Sequence, residues 1–293
     1  MQLYRPKAEL RLLKAFSWLI CVLTVIFPLS SNAGWQLTFQ DEFNSESLDV
    51  GKWKPSDLWG NQTLGGNQEQ QCYIPAAINQ HSGMLRLVAK RQDTPAWQCK
   101  GAKSDLRYTS GMVTTAGCNR WEKRSDCVGL QSFSQSFGYF EVRAKVPKGK
   151  GFWSAFWLLP IDGTWPPEID IMEVLGHEPA KAHQTFHFTD KAGKRGKASG
   201  MSSDADLSAE FHTFGIDWQP DKLIWYVDGK ETYRFQSTEI PSKPMYLLIN
   251  LAVGGYWPGS PDANTALPSM MEIDYVRVYQ RISDGKPDDN PPR

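Results

Sequence analysis

Tyr139-Phe140-Glu141-Val142-Arg143-Ala144-Lys145-Val146 decides the fold class. Phe140, Val142, Ala144 and Val146 fall on one side of an extended chain, and Tyr139, Glu141, Arg143 and Lys145 on the other. Period-two alternation predicts a β-strand with one buried face. The pattern recurs on both sides of it. In Phe211–Trp218, His212, Phe214, Ile216 and Trp218 share a face. Ile224–Val227 is a short apolar strand closed by Asp228-Gly229, a strong hairpin-turn pair. Tyr246–Val253 is almost continuously apolar and ends in Gly254-Gly255, as a strand covered on both faces should. Met271–Gln280 is a last strand rich in β-branched and aromatic residues. Helical periodicity is nearly absent after Gly34. Many short strands separated by Gly, Pro and Asp turns point to an all-β sandwich or barrel.

The chain has 293 residues, with 32 Lys plus Arg and 32 Asp plus Glu. A formal charge of zero argues against a nucleic-acid partner. The 12 Trp, 10 Tyr and 14 Phe suggest a sheet-rich core or a site that stacks flat ligands.

Residues 1–33 read as a secretory signal peptide. Arg5, Lys7, Arg11 and Lys14 precede the apolar run Ala15–Leu29, and Ser31-Asn32-Ala33 supplies small residues for cleavage. A retained membrane anchor is the other reading of that run, although about 20 apolar residues are normally needed to span. Cleavage near Ala33 predicts a secreted or periplasmic chain with no membrane attachment. Cys21 leaves with the leader, and the four remaining cysteines suggest disulfides in an oxidising compartment. Cys118 and Cys127 bracket a short polar loop, so the expected pairs are Cys118–Cys127 and Cys72–Cys99. Four free thiols are the alternative. Residues 34–282 show no internal repeat or linker and read as one domain. Residues 283–293 are polar and Pro-rich, and read as a frayed tail.

The chemistry concentrates in Glu168-Ile169-Asp170-Ile171-Met172-Glu173, three acids inside an apolar stretch. Burying charge beside apolar side chains is costly unless the groups are paired or protonated. Glu168 and Asp170 share a face of a strand, and Glu173 falls on the other. A single β-bulge at Ile171-Met172 returns Glu173 to their side. The glutamates are then about 13 Å apart along the backbone at roughly 3.3 Å per residue. Side chains leaning inward can approach the ~5–5.5 Å carboxyl separation of a retaining glycosidase. Asp170 between them would share a proton and separate the two pKa values. Surface charges or calcium ligands are the competing reading of the same acids. The tryptophans favour the first: Trp153, Trp157 and Trp165 lie just upstream, and Trp257 follows Gly254-Gly255-Tyr256. Each alone could be core; with the acid triad they fit a carbohydrate cleft.

These segments resemble glycoside hydrolase family 16, and within it the laminarinase-like endo-β-1,3-glucanases. The resemblance runs from about Trp35 to Gln280. It rests on Phe39-Gln-Asp-Glu-Phe43, Asn67-Gln-Glu-Gln70, Tyr108-Thr-Ser-Gly111, Phe137-Gly-Tyr-Phe-Glu141, Gly151–Leu159, Asn250–Gly255 and Asp274–Tyr279. The most specific match is Glu168–Glu173, whose extra residue is similar to the bulged motif of laminarinases, agarases and carrageenases. The resemblance implies a jelly-roll β-sandwich of two antiparallel sheets with a concave cleft, and a retaining endo-β-glucanase. It implies cleavage of internal β-1,3 or mixed β-1,3/1,4 linkages. A galactan, a bacterial exopolysaccharide or transglycosylation is the alternative. By position Glu168 resembles the nucleophile, Glu173 the acid/base and Asp170 the residue between. Asn67, Glu69, Asn250 and His187 resemble cleft residues, although His187 reads equally well as a satisfied strand histidine. No cofactor is implied for catalysis; Glu42 and Asp274 resemble ligands of a structural calcium. A monomer with a β-glucan substrate is the expected working form. Ser154 stands where laminarinases commonly have Pro. Ile240-Pro-Ser-Lys-Pro-Met-Tyr246 replaces a family loop that helps shape the cleft, and the Cys118–Cys127 loop looks like an addition.

Overall fold

The computed structural model describes residues 34–55, 61–116, 133–203, 205–282 and 292. The leader, Cys118 and Cys127, and all but one residue of the tail lie outside them. Sixteen strands are described. The first six are β1 (Trp35–Asp41), β2 (Gln71–Tyr73), β3 (Ile78–His81), β4 (Met84–Thr94), β5 (Leu106–Ser110) and β6 (Met112–Thr114). The middle of the chain gives β7 (Gly138–Lys145), β8 (Phe152–Pro160), β9 (Glu168–Leu175), β10 (Ala182–Thr189) and β11 (Arg195–Ser202). The last five are β12 (His212–Trp218), β13 (Lys222–Val227), β14 (Lys230–Gln236), β15 (Met245–Val253) and β16 (Ser269–Arg281). Helix is confined to three short 3-10 turns among the described residues, and no described helix is long and apolar enough to cross a membrane.

The strands form two sheets. One runs β14-β13-β12-β7-β16-β4-β5-β2, with β1 added on β16 and β3 on β4; the other runs β11-β10-β9-β8-β15-β6. All ladders are antiparallel except β2 with β5, which is parallel. The core lies between the sheets. Phe140, Val142 and Ala144 of β7 meet Phe152, Phe156 and Leu158 of β8 and Leu247, Ile249 and Leu251 of β15 there. The sixfold sheet therefore turns its second face outward, and that face carries the site. Every residue of β15 is buried. Met245, Leu247, Ile249, Leu251 and Val253 face the core, while Tyr246 and Leu248 pack with Tyr73, Ala155 and Trp157 on the other side. The apolar run thus reflects cover on both faces.

The alternation rule needs one refinement in β7. Tyr139 was expected on a solvent face but is buried under Trp35, Ile224 and Tyr226. A second apolar patch covers the outer side of the larger sheet there. Glu141 beside it accepts hydrogen bonds from Tyr139 (3.1 Å) and Tyr275 (2.9 Å). Cys72 and Cys99 form a disulfide that ties β2 to the turn after β4.

Candidate active site

The register of β9 shows how the acids come together. Against β8, Phe156 faces Met172 and Trp157 faces Asp170, so one residue of β9 is unmatched. Against β10 the same slip falls between His183–Glu173 and Thr185–Asp170. The extra residue is a bulge at Ile171-Met172. Ile169, Ile171, Met172 and Val174 all enter the core. Two consecutive apolar side chains are satisfied inward, which returns Glu173 to the outer face with Glu168 and Asp170. The apolar burial of Ile171 and Met172 drives this geometry.

Glu168, Asp170 and Glu173 line one cleft of about 1070 Å³. Trp153 and Trp157 of β8, His187 of β10, Asn250 of β15, Trp165, Asn67, Glu69 and Trp257 line it too. All eleven cleft residues singled out in the sequence therefore meet at this one place. Trp157 is largely buried, and its indole donates to Asn250 Oδ1 at 2.8 Å. Asn250 Nδ2 donates to the Tyr73 hydroxyl at 3.0 Å, which donates to Glu69 Oε2 at 3.2 Å. Gln71 and Asn67 complete the cage around Glu69 at 2.6 and 3.0 Å. Such a saturated polar network fixes one arrangement of the cleft floor. Trp153 and Trp257 meet edge to face at 5.1 Å, and Trp257 and Trp165 keep substantial exposed surface. Exposed indole faces suit the apolar C–H faces of sugar rings.

The two glutamates have different partners. Trp165 Nε1 donates to Glu168 Oε2 at 2.7 Å, and Trp153 Nε1 donates to Glu173 Oε1 at 3.1 Å. His187 Nε2 lies 3.4 Å from Asp170 Oδ2 and 3.8 Å from Glu168 Oε1. Burial pushes the Glu173 carboxyl well above its ordinary range, and the charges of Asp170 and Glu168 push it further. Burial also raises Asp170 strongly, assisted by the charge and hydrogen bond of Glu168. For Glu168, burial raises the pKa, but His187, the Trp165 hydrogen bond and the one from Asp170 all act the other way. Burial keeps His187 toward its neutral form. The net shift of Glu168 is still upward, but smaller than those of Asp170 and Glu173, so of the three acids Glu168 gives up its proton first.

Glu168, Asp170 and His187 each place one potential ligand atom within 4.8 Å of the others. Calcium takes about 6–8 oxygen ligands, and two carboxyls with an imidazole do not supply that shell. The proposed structural calcium site fits no better. Arg277 binds both oxygens of Glu42 at 2.8 Å, and Asp274, at a bulge in β16, is ion-paired to Arg143. Arginine neutralises both expected ligands, so these residues as arranged do not fit the ion.

His183, Lys197 and Tyr256 also line the cleft and were not singled out in the sequence. His183 had a usable signal: it lies four residues before His187, hence on the same face of β10. Its ring packs edge to face on Trp257 at 5.0 Å. Lys197 sits opposite His187 on β11, whose less exposed positions include Gly196, Ala198 and Gly200, too small to give an apolar signal in the sequence.

A family profile described as Glycosyl hydrolases family 16 matches residues 93–277. The chain is 37% identical over 263 residues to an endo-1,3-1,4-beta-glycanase of Rhizobium meliloti, covering 84% of this chain and 52% of the relative. It therefore spans about half the length of that relative. It is 32% identical to a beta-glucanase of Rhodothermus marinus, covering 85% of this chain and 86% of that one. The laminarinase catalytic domain of Thermotoga maritima has the same fold, with a TM-score of 0.70 and 31% identity over 85% of this chain and 99% of that one.

Proposed function

The chain belongs to glycosyl hydrolase family 16, and from that premise we propose that it is an exported, retaining endo-β-glucanase. The observation that carries the reading is the bulged β9, which presents Glu168 and Glu173 on one face in unequal environments. The ionised Glu168 attacks the anomeric carbon of the bound sugar. The glycosidic C–O bond breaks, and the proton of Glu173 goes to the leaving oxygen. Water then attacks the glycosyl ester on Glu168. Glu173 takes its proton, and Glu168 is released as a carboxylate. Asp170 holds a proton against Glu168, which supports the charge separation between the two glutamates.

The substrate is an internal β-1,3 or mixed β-1,3/1,4 linkage of a glucan. The Rhizobium relative, an endo-1,3-1,4-beta-glycanase, and the Rhodothermus relative, a beta-glucanase, support that class. The charge of the cleft supports it as well. Among the described residues its lining carries one lysine, Lys197, and no arginine, which offers a sulfated galactan few cationic partners. Export is supported by the leader of residues 1–33 and by the Cys72–Cys99 disulfide. Residues 34–282 act as one catalytic domain. Reducing-end assays on laminarin, lichenan, agarose and carrageenan test the reading. Activity confined to the two glucans, and lost in Glu168→Gln, is expected; activity on agarose or carrageenan alone would overturn it.

A further inference from the structure

Trp165 sits in the turn between β8 and β9, and its indole N–H reaches Glu168. The turn is held from outside. Lys243 Nζ donates to Asp162 Oδ2 and to Thr164 Oγ1, both at 2.8 Å. Asp162 Oδ1 in turn accepts from the Thr164 backbone N–H at 3.0 Å and from its hydroxyl at 2.7 Å. Ile161 N–H donates to Pro244 O at 3.1 Å, so the backbone beside Lys243 is fastened to the start of the same turn. Slight desolvation would raise the Asp162 carboxyl, but the hydrogen bond from Lys243 and those from Thr164 outweigh it and bring it down to about 2. On its far side the Trp165 ring carries the Arg195 guanidinium at 4.9 Å and lies 6.1 Å from His187.

We propose that Lys243 is a positioning residue for Glu168: by bridging Asp162 and Thr164 it fixes the turn that aims the Trp165 indole at the nucleophile. The inference rests on the reading of Glu168 as nucleophile. Lys243 lies in the chain just before β15, so the clamp joins the approach to β15 with the turn between β8 and β9. An exposed ion pair alone contributes little. Here one ammonium joins two side chains of one short turn, and a loosened turn moves the hydrogen bond that favours the charged form of Glu168. The other groups facing Glu168 are Asp170 and Glu173 from β9 and His187 from β10, with Lys197 from β11 beside them. None of them contacts Lys243 in a described hydrogen bond or ion pair.

The test is the pH profile of kcat/KM on a glucan for Lys243→Ala, Lys243→Arg, Trp165→Phe and the Lys243→Ala/Trp165→Phe double variant. In Lys243→Ala the acid limb should move up by about half a pH unit, with roughly threefold lower kcat/KM on that limb and an unchanged melting temperature. Lys243→Arg should restore it. The double variant should match Trp165→Phe alone, because the clamp acts through the indole. An unmoved acid limb, or additive losses in the double variant, overturns the inference. Asp162→Asn, which leaves Lys243 in place, is the second probe and should shift the limb in the same direction. Glu168→Ala separates the two layers. If Glu168→Ala is inactive while Lys243→Ala is silent, only the clamp fails; if Glu168→Ala stays active, the reading of Glu168 fails first.

Discussion

The Trp153 indole donates its N–H to Glu173 Oε1 at 3.1 Å. This hydrogen bond and the charge of Lys197 favour the ionised form of Glu173, against burial and two neighbouring acids. Trp153→Phe keeps an aromatic face and removes the donor. The Glu173 pKa should rise further, so the basic limb of kcat/KM moves to higher pH. A profile recorded from acid to alkaline pH checks this; a limb that moves down contradicts it.

Glu173→Ala should lower kcat on a polymeric glucan by about 10²–10⁴-fold, the usual contribution of a general acid. The loss should be much smaller in the first step with an aryl glycoside, whose leaving group needs no protonation. Pre-steady-state release of the phenol separates the two steps.

The same carboxyl should cost stability. Its folded pKa lies above its unfolded value, so between the two the native state keeps a proton the unfolded chain has lost. Stability then falls as pH rises through that window. Glu173→Gln is a neutral near-isostere. It should melt higher than the parent near neutral pH, and the difference should close toward about pH 4. Thermal unfolding at a series of pH values reads this directly.

Removing the Cys72–Cys99 crosslink, whose partners are 27 residues apart, should cost about 2–4 kcal/mol. Denaturant unfolding of the Cys72→Ala/Cys99→Ala variant measures it. The crosslink also anchors the 3-10 turn Ala96–Gln98 near Asn61 and Gln62 at the cleft wall, since Gln62 N–H donates to Lys100 O at 2.8 Å. A rise in KM alongside the stability change is therefore expected.

The elements that alternate or run apolar were legible in the sequence because burial imposes a simple period. Phe140, Val142 and Ala144 face the core as the pattern required, and Tyr246–Val253 is buried throughout. The bulge was legible because three acids amid apolar residues needed one face, and Ile171 with Met172 supplied two inward side chains. Other features depend on partners distant in sequence, which no local pattern encodes. Tyr73, which donates to Glu69, is reached from Asn250 across 177 positions. Glu42 and Asp274 read as ion ligands until Arg277 and Arg143 are placed against them. Lys243 meets Asp162 across 81 positions. Tyr139 was misread as solvent-facing because the larger sheet carries a second apolar patch outside.

The most direct measurement traps the covalent intermediate. A 2-deoxy-2-fluoro-β-laminaribiosyl donor with a good leaving group slows both steps by destabilising positive charge at the anomeric carbon, while the leaving group keeps the first step the faster. Peptide mapping of the inactivated enzyme should place one laminaribiosyl label on Glu168, with β-configured product released on turnover. A label on Glu173, or inverted product with no label, would contradict the account.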